Sequence, residues 1–317
     1  MNQEILQLYK NQSQILFNRT YWLDAVCEGE WDIITAWDKK QQPVAFLPVH
    51  HRKYMGFKLL VNPPLTQFLQ LVFLLPQESK LTKRMEQHHQ AQLSIISQLP
   101  DFDYFDMNFD ISYQNWLPFY WKGFHQTVRY TYLIDKNRVP AEKLFEMFRE
   151  NIRRQVKKAS DTLTVKEIED TDVFYEILHS TFAHHGKKAP FSKALITRVF
   201  QHCKPHKSIQ LLAATDAKDE IYGVIMIGKD DRYHHYLAGG SEARYRNSGV
   251  MSLLLYSAAK QALENGKDFN FEGSMIESIE YFFRSFGSVQ TPYTRLVKYN
   301  NRIFSIAMGL KGMHLIR

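Results

Sequence analysis

Between residues 209 and 298 the chain reads strand, strand, strand, glycine turn, helix, strand, glycine turn, helix, strand. No other feature constrains the fold as much. The stretches 209–214 (IQLLAA), 221–228 (IYGVIMIG) and 234–238 (HHYLA) are apolar and β-branched enough to be strands. Gly239-Gly240 reads as the end of the third. Gly249 opens a helix carrying Val250, Met251, Leu254, Leu255, Ala258, Ala259 and Ala262, and Asn265-Gly266 stops it as a left-handed cap does. A short strand at 269–271 (FNF), the turn Glu272-Gly273-Ser274, a helix over 276–286 ending at Gly287, and a strand over 289–298 complete the series. Strands feeding helices through tight turns imply an α/β layered domain.

That stretch is under a third of the 317 residues, so there is room for a second domain. The first 128 residues show short strands broken by turn signals. The runs 31–37 (WDIITAW) and 44–49 (VAFLPV) flank a polar linker and predict a hairpin. Residues 78–98 predict a solvated helix, His88 and His89 included, and 103–109 (DYFDMNF) a strand. The pattern restarts with a strand at 128–134 (VRYTYLI). Phe145, Phe148, Ile152, Val156 and Ala159 then predict one helix over 141–159, with Arg149, Arg153 and Lys157 on another face. Helices at 172–182 and 191–202 follow. The expected domains are 1–128 and 129–317, the latter with a short basic tail, and with no long linker they are expected to pack together.

Apolar residues make up 44% and charged residues 23%, which excludes wholesale disorder. Two cysteines, Cys27 and Cys203, cannot form a disulfide framework and suit a reducing compartment. The first residues lack a signal-peptide pattern, and the most apolar run, 68–75 (FLQLVFLL), is too short for a membrane span. The expectation is a cytoplasmic protein without a transmembrane segment. A net charge of +7 favours anionic partners without naming one. No Cys/His spacing suggests zinc, and the adjacent pairs His184-His185 and His234-His235 are not ready metal sites, so no metal is expected.

A helix entered through a glycine turn presents unsatisfied N–H groups that suit phosphate. The turn 239–249 supplies Gly249 for close approach, with Ser248 and Val250 beside it and Arg244 and Arg246 as cationic clamps. Three stretches in this order resemble a known family: Asn151-Ile152-Arg153-Arg154-Gln155-Val156-Lys157-Lys158, the run from Tyr236 to Leu255, and Phe269-Asn270-Phe271-Glu272-Gly273-Ser274-Met275-Ile276 continuing to Phe282-Phe283-Arg284-Ser285-Phe286-Gly287. Leu117-Pro118-Phe119-Tyr120-Trp121-Lys122-Gly123-Phe124 adds to it. Over roughly residues 15–300 the chain resembles the two-domain FemAB-like acyltransferases of bacteria, in the branch called GNAT family N-acetyltransferases.

The resemblance implies two tandem GNAT-like domains, each a mixed, mostly antiparallel sheet flanked by helices. It implies attack of an amine on an activated acyl carbonyl, with the reacting atoms held ~3–3.5 Å apart and a backbone N–H at a splayed strand polarising the carbonyl. On this reading acyl-CoA is the co-substrate and a small-molecule amine, amino sugar or peptide the acceptor. Arg244, Arg246, Ser248, Gly249 and Val250 hold the donor. Arg153, Arg154, Tyr236, Ser274 and Arg284 contact substrate, and Glu272 takes the amine proton. Glu272 pairing Arg284, or capping the next helix, is the structural alternative. The family's pyrophosphate loop is Arg/Gln-x-x-Gly-x-Gly/Ala, and here Met251 replaces its last small residue. Phe282 stands where many GNAT enzymes carry an acid Tyr. Two other readings stay open: an aminoacyl-tRNA-dependent peptidyltransferase acting on a cell-wall precursor, with tRNA as partner, and a GNAT scaffold without catalysis.

Overall fold

The computed structural model describes residues 3–13, 15–75, 80–184 and 186–310. The chain divides into two compact units. One comprises Met1–Ser13, Phe17–Arg129 and Pro292–Arg317; the other comprises Gln14–Leu16 and Tyr130–Thr291. The stretch from 292 onward, expected in the second domain, therefore belongs to the first unit. The strand 289–299 carries the chain back to the sheet in which it pairs residues 104–108.

The first unit contains α1 (Gln3–Gln12), α2 (Thr20–Cys27), β1 (Trp31–Trp37), β2 (Pro43–Tyr54), β3 (Phe57–Val61), β4 (Val72–Phe73), α3 (Leu81–Ser97), β5 (Tyr104–Asn108) and α4 (Leu117–Trp121). The expected hairpin forms, with Trp31 opposite His50 and Ala36 opposite Ala45. Its turn is built by Asp38, whose Oδ1 accepts the N–H groups of Lys40 and Gln42 at 2.8 Å each. Residues 78 and 79, at the expected start of α3, lie outside the described residues. The abundant phenylalanines pack edge to face in this unit: Phe119 on Phe124 at 5.0 Å, Phe105 on Phe124 at 5.0 Å and Phe17 on Phe68 at 5.6 Å.

Strand β6 (His125–Ile134) leads into the second unit, which continues with α5 (Glu150–Ser160), β7 (Thr164–Ile168), α6 (Thr171–His184) and α7 (Lys193–Cys203). Then come β8 (Ile209–Thr215), β9 (Ile221–Lys229), β10 (Tyr233–Ser241), α8 (Val250–Glu264), β11 (Asp268–Asn270) and α9 (Glu277–Arg284). β12 (Val289–Tyr299) begins in this unit and from Pro292 belongs to the first, as does α10 (Arg302–Leu310), which closes the described chain. In the first unit β2 pairs β1, β3 and β4 antiparallel, β3 runs parallel to β5, and β12 pairs β5 antiparallel. In the second, the order is β6-β11-β10-β9-β8-β7, with β10 and β11 the parallel pair and the rest antiparallel. Within each unit the strand pairing is thus mixed and mostly antiparallel, with helices flanking it.

Two local expectations change. The periodic stretch 141–159 is not one helix. A 3-10 segment (Ala141–Met147) precedes α5, and Phe148 and Arg149 are extended because the Arg149 N–H donates to the Ser285 carbonyl at 2.9 Å. Phe148, Ile152, Val156 and Ala159 still enter one core with Leu254, Leu255, Ala258 and Phe286 of α8 and the segment after α9. Nor do Gly239 and Gly240 end β10, which runs through Ser241. A Cβ on Gly240 would come 2.2 Å from the Thr181 hydroxyl of α6, so glycine here lets helix and strand backbones approach. Gly266 is a left-handed cap, with φ 65° and its N–H on the Leu263 carbonyl.

Candidate functional site

Strands β10 and β11 run parallel only over three residues, Tyr233 opposite Asp268, His234 opposite Phe269 and His235 opposite Asn270. Past that point β11 stops while β10 continues against β9, so the two strands part. Just beyond the fork β10 carries a bulge between Tyr236 and Ala238 opposite Ile227 and Met226. Leu237 is the extra residue, left out of the β9 ladder.

The chain leaves β11 through two successive left-handed residues, Glu272 (φ 60°) and Gly273 (φ 66°). Gly273 has no alternative, since a Cβ there would sit 2.1 Å from the Tyr130 carbonyl oxygen. Glu272 accepts the strain that a side chain carries in this region. Its N–H donates to Asn270 Oδ1 at 2.8 Å, which tethers the turn to the end of the strand.

The Glu272 carboxylate meets His235, not Arg284. His235 is fully buried, with Nδ1 3.4 Å from Glu272 Oε1 and Nε2 3.0 Å from Asp230 Oδ2. Asp230 is itself held by the N–H groups of Leu16 (3.0 Å), Arg232 (2.8 Å) and Tyr233 (2.7 Å). Burial alone would lower the His235 pKa, but the bonds and charges of Asp230 and Glu272 prevail and raise it to about 9. Burial pushes the Glu272 carboxyl above its ordinary value against the pull of His235. Burial also acts to raise Asp230, yet His235 and the backbone donors bring it below the usual range. Two carboxylates around one buried imidazolium can hold, accept and release a proton.

The other expected site residues are spread over the second unit. Gly249 is left-handed (φ 85°) and abuts α5, where a Cβ would come 2.4 Å from the Gln155 carbonyl oxygen. Ser248 Oγ donates to the Tyr245 carbonyl at 2.6 Å, and Val250 is buried. Arg244 pairs with Glu220 at 2.6 Å and lies over the Tyr245 ring, while Arg246 is exposed on the same turn. On α5, Arg153 is half-buried and Arg154 exposed, the latter 3.8 Å from Glu150. Tyr236 packs edge-on against Phe283, and the Ser274 hydroxyl accepts the Ile276 N–H. Arg284 turns back to Glu280 at 2.8 Å. Phe282 packs on the core while Tyr281 is exposed and bonds Arg149 through its hydroxyl. Sequence reasoning selected Glu272 but passed over Asp230 and His235. The one usable signal was a strand-borne His in an otherwise apolar run.

Among the described residues no group of three His, Cys, Asp or Glu side chains is placed to hold a metal. No helix of the described residues is long and apolar enough to cross a membrane. His185, and the side chain of His184, lie outside the described residues, as do residues 311–317 of the basic tail.

A parallel strand pair that forks, a bulge beside the fork and a glycine-initiated helix after it make up this part of the second unit. Residues 147–272 match the acetyltransferase (GNAT) domain family. The whole chain superposes on the crystal structure of FemX with a TM-score of 0.69 at 11% identity, covering 97% of this chain and 98% of that one. It also superposes on L-PGS from Bacillus licheniformis (0.58, 10% identity, 98% and 95% covered) and on a tandem GNAT protein from the clavulanic acid biosynthesis pathway (0.51, 10%, 93% and 92%). No curated protein matches by sequence. Residues 147–272 thus carry an acetyltransferase (GNAT) type of domain, and the whole chain shares its fold with FemX.

Proposed function

We propose that this protein is an N-acyltransferase that moves an acyl group from an acyl-CoA-type thioester to the amine of a small molecule, amino sugar or peptide. The observation that carries the reading is the fork between β10 and β11, with the bulge residue Leu237 on one side and Glu272 on the other. A carbonyl seated there has a backbone amide outside the β9 ladder to polarise it and a carboxylate to take the amine proton. Glu272 is the base in this reading. The start of α8 and the turn carrying Arg244, Arg246, Ser248, Gly249 and Val250 face the donor's phosphates, and Arg153, Arg154, Tyr236, Ser274 and Arg284 are proposed to serve substrate. We infer a cytoplasmic setting, where such donors are made.

A second reading, with aminoacyl-tRNA as donor, is favoured by one observation. Gly249 and Ser248 are engaged with Gln155 and Tyr245, and Arg244 with Glu220, whereas α5 exposes Arg154, Lys157 and Lys158. A basic helix face suits a nucleic-acid backbone better than a single pyrophosphate.

The test is turnover. Thiol release from acetyl- and longer acyl-CoAs is measured over a panel of amines, in parallel with deacylation of charged tRNA. Amine-dependent thiol release supports the first reading. Transfer from tRNA alone replaces it with the second, and no transfer from any activated donor overturns both.

A further inference from the structure

His235 lies between two partners that ask opposite things of it. Asn270 Oδ1 accepts the Glu272 backbone N–H at 2.8 Å, and a backbone N–H can only donate, so that atom is the oxygen. The Thr131 hydroxyl, 2.5 Å away, bonds the same oxygen. The Asn270 amide nitrogen is therefore turned toward His235 Nδ1, at 3.2 Å. An amide N–H satisfies Nδ1 only when that nitrogen carries no proton. The Glu272 carboxylate, 3.4 Å from the same nitrogen, attracts it as a counter-charge only when it does. On the far side of the ring Asp230 accepts from Nε2 and fixes the imidazole plane. Facing the ring are Asp230 from the β9–β10 turn, Asn270 from β11, Glu272 from the turn after it and, 5.3 Å away, the Tyr233 ring.

We propose that His235, anchored by Asp230, is the positioning residue for Glu272, and that the Nδ1 proton is shared between them, with Asn270 taking over Nδ1 whenever the proton resides on Glu272. This rests on the acyl-transfer reading. In the transfer, the amine nitrogen bonds to the acyl carbon, the bond from that carbon to the donor's sulfur or oxygen breaks, and the nitrogen loses one proton. Glu272 takes that proton and passes it to the departing atom, so nothing is oxidised or reduced. His235 keeps a buried carboxylate ionised until the amine arrives and fixes its Oε1. At one end of the exchange Nδ1 faces the Glu272 charge and at the other the Asn270 amide, so it is never left without a polar neighbour in its buried setting.

Two readouts on the full chain test this. In protein with 15N-labelled histidine, the His235 signals are assigned by their loss in H235Q. They should report both ring nitrogens protonated at pH 7.5 in the wild type and one in E272Q. A singly protonated wild-type ring, or one indifferent to E272Q, overturns the proposal. In turnover assays H235Q should lower kcat at least tenfold with donor KM unchanged. It should also move the acid limb of the pH–rate profile up by a unit or more, because burial then acts on Glu272 unopposed. Wild-type kcat and an unmoved limb overturn it. If H235Q does not fold, D230N keeps the ring and should move the same limb. If the wild type transfers no acyl group while the Glu272-dependent double protonation is present, the acyl-transfer reading fails and the pairing stands.

Discussion

Gly249 presses its α-carbon against the backbone of Gln155, so closely that a Cβ would lie 2.4 Å from the Gln155 carbonyl oxygen. One turn further along α8, the Ser252 hydroxyl donates to Gln155 Oε1 at 2.6 Å. The glycine that signals a phosphate loop in sequence therefore also serves the α5–α8 contact. G249A should destabilise the fold by at least ~1–2 kcal/mol from its left-handed backbone alone, before any change in donor affinity. S252A should cost about 1 kcal/mol. Urea unfolding of both variants checks this; a G249A protein as stable as wild type contradicts it.

Glu272 is argued to touch the reacting amine. E272Q should fold normally and lose about 10²- to 10⁴-fold in kcat. Its far-ultraviolet spectrum should stay near that of wild type. Retention of full turnover would move the base elsewhere.

The buried charges also bind pH to stability. His235 has its pKa raised in the folded chain, from 6.5 to about 9. Its contribution is complete below pH 6.5 and declines as pH rises through 9. Asp230 is lowered, so its contribution is present above its ordinary value and lost as pH falls below it. Unfolding free energy should thus fall on the alkaline side between about pH 6.5 and 9, and H235Q should flatten that limb. Equal slopes in both proteins would show that the group does not titrate there.

Asp106 and Arg295 form a two-pronged pair in the first unit, with both bonds at 2.6 Å and Tyr104 donating to the same carboxylate at 2.7 Å. The side chains are 3% and 14% exposed. Removing one partner strands the other, so R295M should cost about 3–5 kcal/mol. R295K should recover only part of it, because an ammonium cannot fork. Thermal unfolding of the two variants orders them.

Charge reversal on α5 separates the two donors. R154E combined with K157E should weaken binding of charged tRNA sharply and reduce its salt dependence, and should leave acyl-CoA titrations nearly unchanged. Equal effects on both donors would place the two ligands on the same surface.

Much of the architecture was legible locally. The apolar spacing of Ile152, Val156 and Ala159, the Asp38 turn and the cap at Gly266 each act within a few residues, so a linear reading finds them. The motif around Phe271, Glu272 and Gly273 was legible too, because a left-handed pair after a short strand leaves glycine as a trace. What no local pattern carries is partnership across distance. Asp230 and His235 are ordinary residues at a strand turn until β11 lies parallel to β10 and brings Glu272 and Asn270 to the same ring. The identity of Glu272's partner, the break at Arg149 set by the Ser285 carbonyl, and the return of β12 to the first unit's sheet were likewise decided by tertiary structure. Propensity and periodicity act along the chain, whereas the proton affinity of a buried carboxylate depends on which charges the fold places beside it.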